Sequence, residues 1–365
     1  MCPKYLYFFL GWFLLPCSLL GQQEQLKDEI RKIIQYDTEI SYKNTPGFII
    51  GIIDQDSNYI IPFGTADINS NEALNPSDAF ELGSVSKTFT AALISILVNA
   101  GQLSYEDLVN DIIPSNYKND RLSYLKISDL LNHTSGFPKR PKDFGKRETS
   151  YNDPYKNYTK EHLLNYYRSF IPKVRKFEYS HINYALLEII IENITQMTFD
   201  QALSQYLLEP LEMTSTFGIK ESEAMPILTN GYDKAGKVST PWSFQSFTGS
   251  EGLHSNLTDL MSFVHAQLGE SHTSLDEILY KNITKETSTF NEKLSISDGW
   301  HTVNIKNGDL YVHTGRTGGH SVYIGMVKET KTAAIVLSNS FYGTGDLGTL
   351  ILRMINQNWK RNPNQ

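Results

Sequence analysis

Apolar residues recur at helical spacing through residues 22–41, with Leu26, Ile30, Ile33 and Ile34 on one face of a polar stretch, which predicts an amphipathic helix. Two β-branched runs follow, at 48–53 and 59–63, and the polar segment 54–58 between them predicts a hairpin. From Ser84 to about Ala100 the chain is apolar on most sides, through Val85, Phe89, Leu93, Ile96 and Leu97, with Gly101 as its C-terminal cap. A helix of that kind belongs in the protein centre. Helical spacing continues at 105–113, 127–132, 159–170, 182–195, 200–208, 257–268 and 275–280. Residues 138–158 are polar, rich in Lys and Tyr and without a period, so they read as a long loop, a candidate lid or cleft wall. Strand patterns return at 300–306 and 310–314 around Asn307-Gly308, then at 320–327 and 332–337, and a helix over 347–359 closes the chain.

The order is helix, two strands, a helical block, several strands, helix. It predicts an α/β (α+β) unit in which strands from both ends form one antiparallel sheet flanked by helices, with a mainly helical region inserted. The sheet part falls at about 22–83 and 295–365 and the helical part at about 84–294, within a single domain over 22–365.

Residues 1–21 stand apart. Lys4 precedes an apolar run that ends at Pro16, followed by Cys17 and small residues to Gly21, the pattern of a secretory signal peptide. The run is shorter than the roughly 20 residues a membrane-spanning helix needs, so no stable span is expected after signal removal. The expected location is outside the cytoplasm, periplasmic or secreted. Lipid attachment at Cys17 is the less favoured alternative, because Pro16 stands where a small residue is usual. Cys2 and Cys17 are the only cysteines, so the mature chain has no disulfide and no thiolate chemistry. A formal charge of −7 gives no electrostatic footprint for nucleic acid.

Candidate chemistry begins at Gly83-Ser84-Val85-Ser86-Lys87. Serine needs a neighbouring base to act as a nucleophile. Residues three apart on a helix share a face, which puts Lys87 beside Ser84, and burial of the lysine would favour its free amine. A helix start also offers N–H groups to an anionic intermediate. Two later clusters join this one. Glu178-Tyr179-Ser180-His181-Ile182-Asn183-Tyr184 precedes an apolar helix, and a tyrosine near a lysine can serve as acid or base. Val312-His313-Thr314-Gly315-Arg316 closes a strand that can line a cleft and offer a backbone N–H.

Together these clusters resemble the penicillin-recognising serine hydrolases, in particular the class C β-lactamase, DD-peptidase and esterase branch, for which Ser-x-x-Lys and a Lys-Thr-Gly-type strand are signatures. Phe80-Glu-Leu-Gly-Ser-Val-Ser-Lys-Thr-Phe-Thr90, the block 127–138, the block 208–214 and the block 252–260 follow in the same order, so the resemblance covers roughly residues 48–338. It implies a β-lactamase/transpeptidase-like fold and hydrolysis of an amide or ester carbonyl through an acyl-enzyme, with no cofactor and no metal. Ser84 would be the nucleophile, with Lys87 and Tyr179 handling its proton. The backbone N–H groups of Ser84 and Arg316 would form the oxyanion hole, and His181, His313, Thr314 and Gly315 would bind substrate.

Two positions depart from the β-lactamase pattern. His181 stands where Asn is usual, and could still donate one N–H to substrate. His313 stands where Lys is usual, and histidine is charged mainly below about pH 6.5. This favours a D-peptidase or esterase over an efficient β-lactamase, and Arg316 is a candidate for the missing charge. The substrate is expected to be a small molecule or peptide, possible sources including the cell wall. The alternative is a catalytically weak penicillin-binding-like protein with a sensing or scaffolding role. Gly319-His-Ser-Val-Tyr323 fails as a nucleophile elbow because Tyr replaces the last glycine and a strand follows. The nine histidines show no zinc spacing.

Overall fold

β1 (Gly47–Asp54) and β2 (Ser57–Gly64) pair antiparallel, with Asp54 opposite Ser57. The turn is tighter than the polar stretch 54–58 predicts, because Asp54, Ser57 and Asn58 join the ladder and Gln55 takes a φ of 54°. The structure is a computed structural model; it describes residues 15–359 apart from 42–43, 56, 70, 148–151, 173–176, 219–227, 284–287, 292–293, 306–307 and 344.

The remaining strands are β3 (Phe80–Glu81), β4 (His254–Ser255), β5 (Ser288–Asn291), β6 (Leu294–Ser297), β7 (Trp300–Ile305), β8 (Gly308–Arg316), β9 (Ser321–Val327) and β10 (Thr332–Ser338). β3 pairs with β4. The other eight form one antiparallel sheet in the order β2-β1-β10-β9-β8-β7-β6-β5. β1 pairs with β10, Phe48 opposite Ser338, so the two ends of the sequence do meet in one sheet. β5 and β6 were not expected: each has only four residues, and they add an outer hairpin at the edge beyond β7. Asn307, half of the expected Asn-Gly turn, lies outside the described residues; Ile305 pairs with Gly308 across it.

The helices are α1 (Leu15–Asp37), α2 (Ser86–Asn99), α3 (Val109–Ile112), α4 (Ile127–Leu131), α5 (Phe144–Arg147), α6 (Lys160–Ser169), α7 (His181–Thr195), α8 (Phe199–Leu203), α9 (Leu257–Gln267), α10 (Asp276–Ile283) and α11 (Gly345–Trp359). The chain divides into two units, Met1–Ile40 and Ser41–Gln365. The first contributes α1, a continuous helix from Leu15 that takes in the last residues of the expected signal segment; residues 1–14 of that segment, with Cys2, lie outside the described residues. No described helix is long and apolar enough to cross a membrane.

In the second unit α9 packs on β1 and β10, and α11 on β9 and β10. α2 is buried over its first twelve residues, as its apolar surround predicts, and ends where expected: Ala100 caps it and Gly101, at φ 69°, donates its N–H to Val98 O at 3.0 Å. The helix expected at 105–113 shrinks to α3. There the backbone bonds elsewhere: Ser128 N donates to Tyr105 O, Ile127 N to Asp107 O and Val109 N to Leu125 O, while Ser104 and Asp107 bond locally.

The described residues of 138–158 are more ordered than their lack of period suggests. Phe144, Tyr155 and Tyr158 form an aromatic cluster with Phe247, which Tyr155 extends to Trp242 and Phe244. Asp153 accepts from Ser243 N at 2.8 Å and from Ser243 Oγ at 2.5 Å, and Gln245 Nε2 donates to Lys156 O at 2.8 Å. The described part of this segment is a wall zipped to 242–247, and its burial of aromatic rings replaces the missing helical stripe.

Candidate active site

Ser84 lies just ahead of the helix rather than in it, on a 3-10 turn, Gly83–Val85, that leads into α2. Gly83 has a φ of 52°, which a side chain would strain, and a Cβ there would come 2.8 Å from Arg316 N. The end of β8 presses on this turn from the other side. A Cβ on Gly315 would sit 1.9 Å from Leu82 O and 3.2 Å from Ser84 N, so only glycine allows the strand this close. Behind them the buried carboxylate of Glu81 accepts from Thr317 Oγ1 at 2.7 Å, His320 Nδ1 at 2.9 Å and Trp242 N at 2.6 Å. Strand end and nucleophile turn are thus fixed to one anchor, which brings the backbones of Ser84 and Arg316 together.

Lys87, on the first turn of α2, is completely buried. Its Nζ donates to Ser84 Oγ at 3.3 Å, to Ser250 O at 2.8 Å and to Glu251 Oε1 at 2.6 Å. Burial pulls its pKa down and Glu251 opposes that pull. Tyr179 is within hydrogen-bonding reach of Ser84, and Lys87 Nζ stands 5.2 Å from its ring centre. Burial, reinforced by Glu251, pushes the Tyr179 hydroxyl well above its ordinary range, so it is held protonated. Its position comes from His133: Glu178 N donates to His133 O at 2.9 Å and Ser180 N to His133 Nδ1 at 3.1 Å, bracketing Tyr179 on both sides.

Glu251 had no signal in the sequence beyond being one acid among small residues, Gly249, Ser250 and Gly252. A π-type turn, Thr248–Gly252, entered through Phe247 at φ 68°, delivers it between the nucleophile and the lysine. Ser84 Oγ donates to its Oε1 at 2.7 Å, and His181 Nδ1 bonds the same oxygen. Burial alone would raise this carboxyl; His181 and Lys87 override it and hold it well below the carboxylate range. Burial outweighs Glu251 at His181, with Lys87 adding to it, and lowers that pKa to about 4. His181 is therefore neutral near pH 7. Its Nδ1 bonds Glu251 and lies 3.2 Å from Lys87 Nζ, and its buried Nε2 has no hydrogen-bond partner.

The β8 residues divide by strand alternation. His313 and Gly315 are buried, and Thr314 and Arg316 are exposed. His313 Nδ1 bonds Thr314 O at 3.0 Å, and its ring lies 5.2 Å from His301 and 6.5 Å from Tyr179. Burial first, then His301 and Lys87, hold His313 well below its usual pKa, so His313 itself brings no cation near pH 7. The Arg316 guanidinium lies 4.9 Å over Phe341 and takes no position beside Ser84. His301, which the sequence reading passed over, stacks on Tyr179 at 5.9 Å. No group of metal-ligating side chains occurs among the described residues.

A family model described as Beta-lactamase matches residues 31–357. The chain belongs to the β-lactamase family of serine hydrolases. A class C beta-lactamase structure superposes with a TM-score of 0.79 at 20% identity, covering 92% of this chain and 97% of that one. A class C beta lactamase from Rhodobacter sphaeroides gives 0.77 at 19% identity, covering 93% and 99%. These likenesses establish the β-lactamase/transpeptidase-like fold. Among curated proteins, Protein flp of Staphylococcus aureus is 26% identical over 324 residues, 86% of this chain and 63% of that protein. Unguisins hydrolase ungD of Aspergillus violaceofuscus is 22% identical over 344 residues, 84% of this chain and 60% of that protein. The chain thus spans about three-fifths of the length of these curated relatives.

Within this family fold, the turn that carries Glu251 is held by a second buried acid. Glu188 on α7 accepts from Gly249 N at 2.9 Å, with Lys160 at 3.5 Å. Burial lifts Glu188 to about pKa 7, although Lys160 works against it. The folded state therefore binds this proton more tightly than the unfolded chain, and stability declines as pH rises from about 4.5 to about 7. The whole effect is on the order of 3 kcal/mol. Glu188→Gln keeps a carbonyl for Gly249 and is expected to flatten the melting temperature between pH 5 and 7, read by thermal unfolding across that range.

Proposed function

We propose that this chain is a serine hydrolase that attacks an ester or amide carbonyl with Ser84 and turns over through an acyl-enzyme. The observation that carries the reading is the Ser84 hydroxyl flanked by buried Lys87 at 3.3 Å and by Tyr179, against the strand end at Arg316. Lys87 and Tyr179 both bond that hydroxyl and orient its proton for transfer. The N–H groups of Ser84 and Arg316 receive the oxyanion, where preorganised donors stabilise developing charge. Thr314, Gly315, His313 and His181 bind the substrate.

Substrate preference follows from charge. Neutral His313 offers no cation for a carboxylate, which favours esters, and D-amino-acid peptides whose C-terminus is amidated or extended, over β-lactams. A small peptide, cell-wall derived, is the second substrate class, and the relative with unguisins hydrolase in its name is a further hydrolase precedent. The Lys4-led apolar segment supports export to the periplasm or medium.

The test is a panel of a p-nitrophenyl acyl ester, a peptide ending in a D-amino acid amide and a penicillin. The expected kcat/KM for the ester or the peptide exceeds that for the penicillin by roughly tenfold or more, a difference of about 1.4 kcal/mol in transition-state binding. A penicillin hydrolysed fastest contradicts the preference. Hydrolysis of none of the three contradicts the hydrolase.

A further inference from the structure

We propose that Glu251 is a catalytic residue, the group that takes the Ser84 proton as the hydroxyl attacks. This rests on Ser84 being the nucleophile. Three donors converge on one oxygen, Oε1: Ser84 Oγ at 2.7 Å, Lys87 Nζ at 2.6 Å and His181 Nδ1. Among the described residues no other acid bonds Ser84. Lys87 is farther from Ser84, at 3.3 Å, and its Nζ also contacts Ser250 O, Glu251 and His181 Nδ1. An ammonium in that position has no lone pair to accept a proton, whereas the carboxylate beside it does.

The steps balance. The Ser84 O–H bond breaks, its proton goes to Glu251 Oε1, and the Oγ pair forms the bond to the carbonyl carbon while the carbonyl π pair moves onto oxygen. Collapse restores the carbonyl and breaks the bond to the leaving heteroatom, which takes the proton from Glu251. Water repeats the cycle: it gives a proton to Glu251, adds to the acyl carbon, and collapse releases the acid and returns the proton to Ser84. Lys87 stays an ammonium throughout and offsets the negative charge.

The groups facing Glu251 set its pH behaviour. They are Lys87 on α2, Tyr179 and His181 at the head of α7, Arg140 and Tyr155 on the 138–158 wall, His313 on β8, and behind the turn Glu188 on α7, which bonds Gly249 N. Lys87 and His181 keep the carboxylate ionised, and His181, at about 4, is already neutral above pH 5.

The experiment measures single-turnover acylation by a neutral p-nitrophenyl ester from pH 5 to 7.5, for wild type, Glu251→Gln, Glu251→Asp and Ser84→Ala, with circular dichroism as a fold check. Wild type is expected to be flat from pH 5 to about 6, below the range in which Glu188 behind the turn titrates. Glu251→Gln is expected to lose roughly 100-fold or more at pH 6, a typical general-base contribution. Its residual rate is expected to climb with pH as Lys87 gives up its proton. Glu251→Asp keeps a carboxylate and is expected to recover part of the rate with a flat profile. A wild-type rate that rises about tenfold per pH unit, or Glu251→Gln as fast as or faster than wild type, overturns the proposal while leaving Ser84 in place. Unchanged activity in Ser84→Ala overturns both.

Discussion

Lys87→Met is expected to destabilise the protein strongly as well as silence it. Lys87 is completely buried and its Nζ lies 2.6 Å from Glu251 Oε1. Methionine matches the stem but leaves a buried carboxylate with only Ser84 and His181 for company. Breaking a buried pair by removing one partner costs about 3–5 kcal/mol, because an uncompensated charge remains. In a domain of this size that corresponds to a fall in melting temperature on the order of 5–10 °C. Lys87→Met combined with Glu251→Gln removes both charges and is expected to regain most of the stability without regaining activity, since neither the acid nor the amine remains. Thermal unfolding of the two single variants and the double variant checks this as a cycle. A double variant no more stable than Lys87→Met contradicts the charge argument.

Much of this architecture is written in local pattern. The hairpin of β1 and β2, the buried helix α2 with Gly101 after its cap, and the helices from Lys160 to Gln267 follow from spacing and capping residues that act over a few positions. The nucleophile block and the strand His313-Thr314-Gly315 were legible because each is contiguous. What the sequence hid depends on long-range contacts. Residues 105–108 have helical spacing, but their backbone bonds to 125–128 instead. The wall at 138–158 is ordered by aromatic partners some 90 residues away, so no period marks it. Glu251 is the clearest case. It reaches Ser84 from 167 positions away on a π-type turn, and nothing near it in sequence announces a partner. His181 was legible as a site residue, yet the direction of its ring hydrogen bond depends on that same hidden acid.

Ser84→Ala is expected to reduce ester hydrolysis by roughly 1,000-fold or more while the fold and melting temperature stay close to wild type, since the hydroxyl's removal leaves Lys87 and Glu251 paired. An effect of that size on turnover with little on stability separates chemistry from packing.

The most direct measurement is the mass of the protein acid-quenched during turnover of a p-nitrophenyl acyl ester, followed by mapping of the modified peptide. The account predicts one added acyl group on the peptide that contains Ser84, and none on Ser84→Ala. Turnover with no adduct on that peptide, or equal hydrolysis by Ser84→Ala, would contradict it.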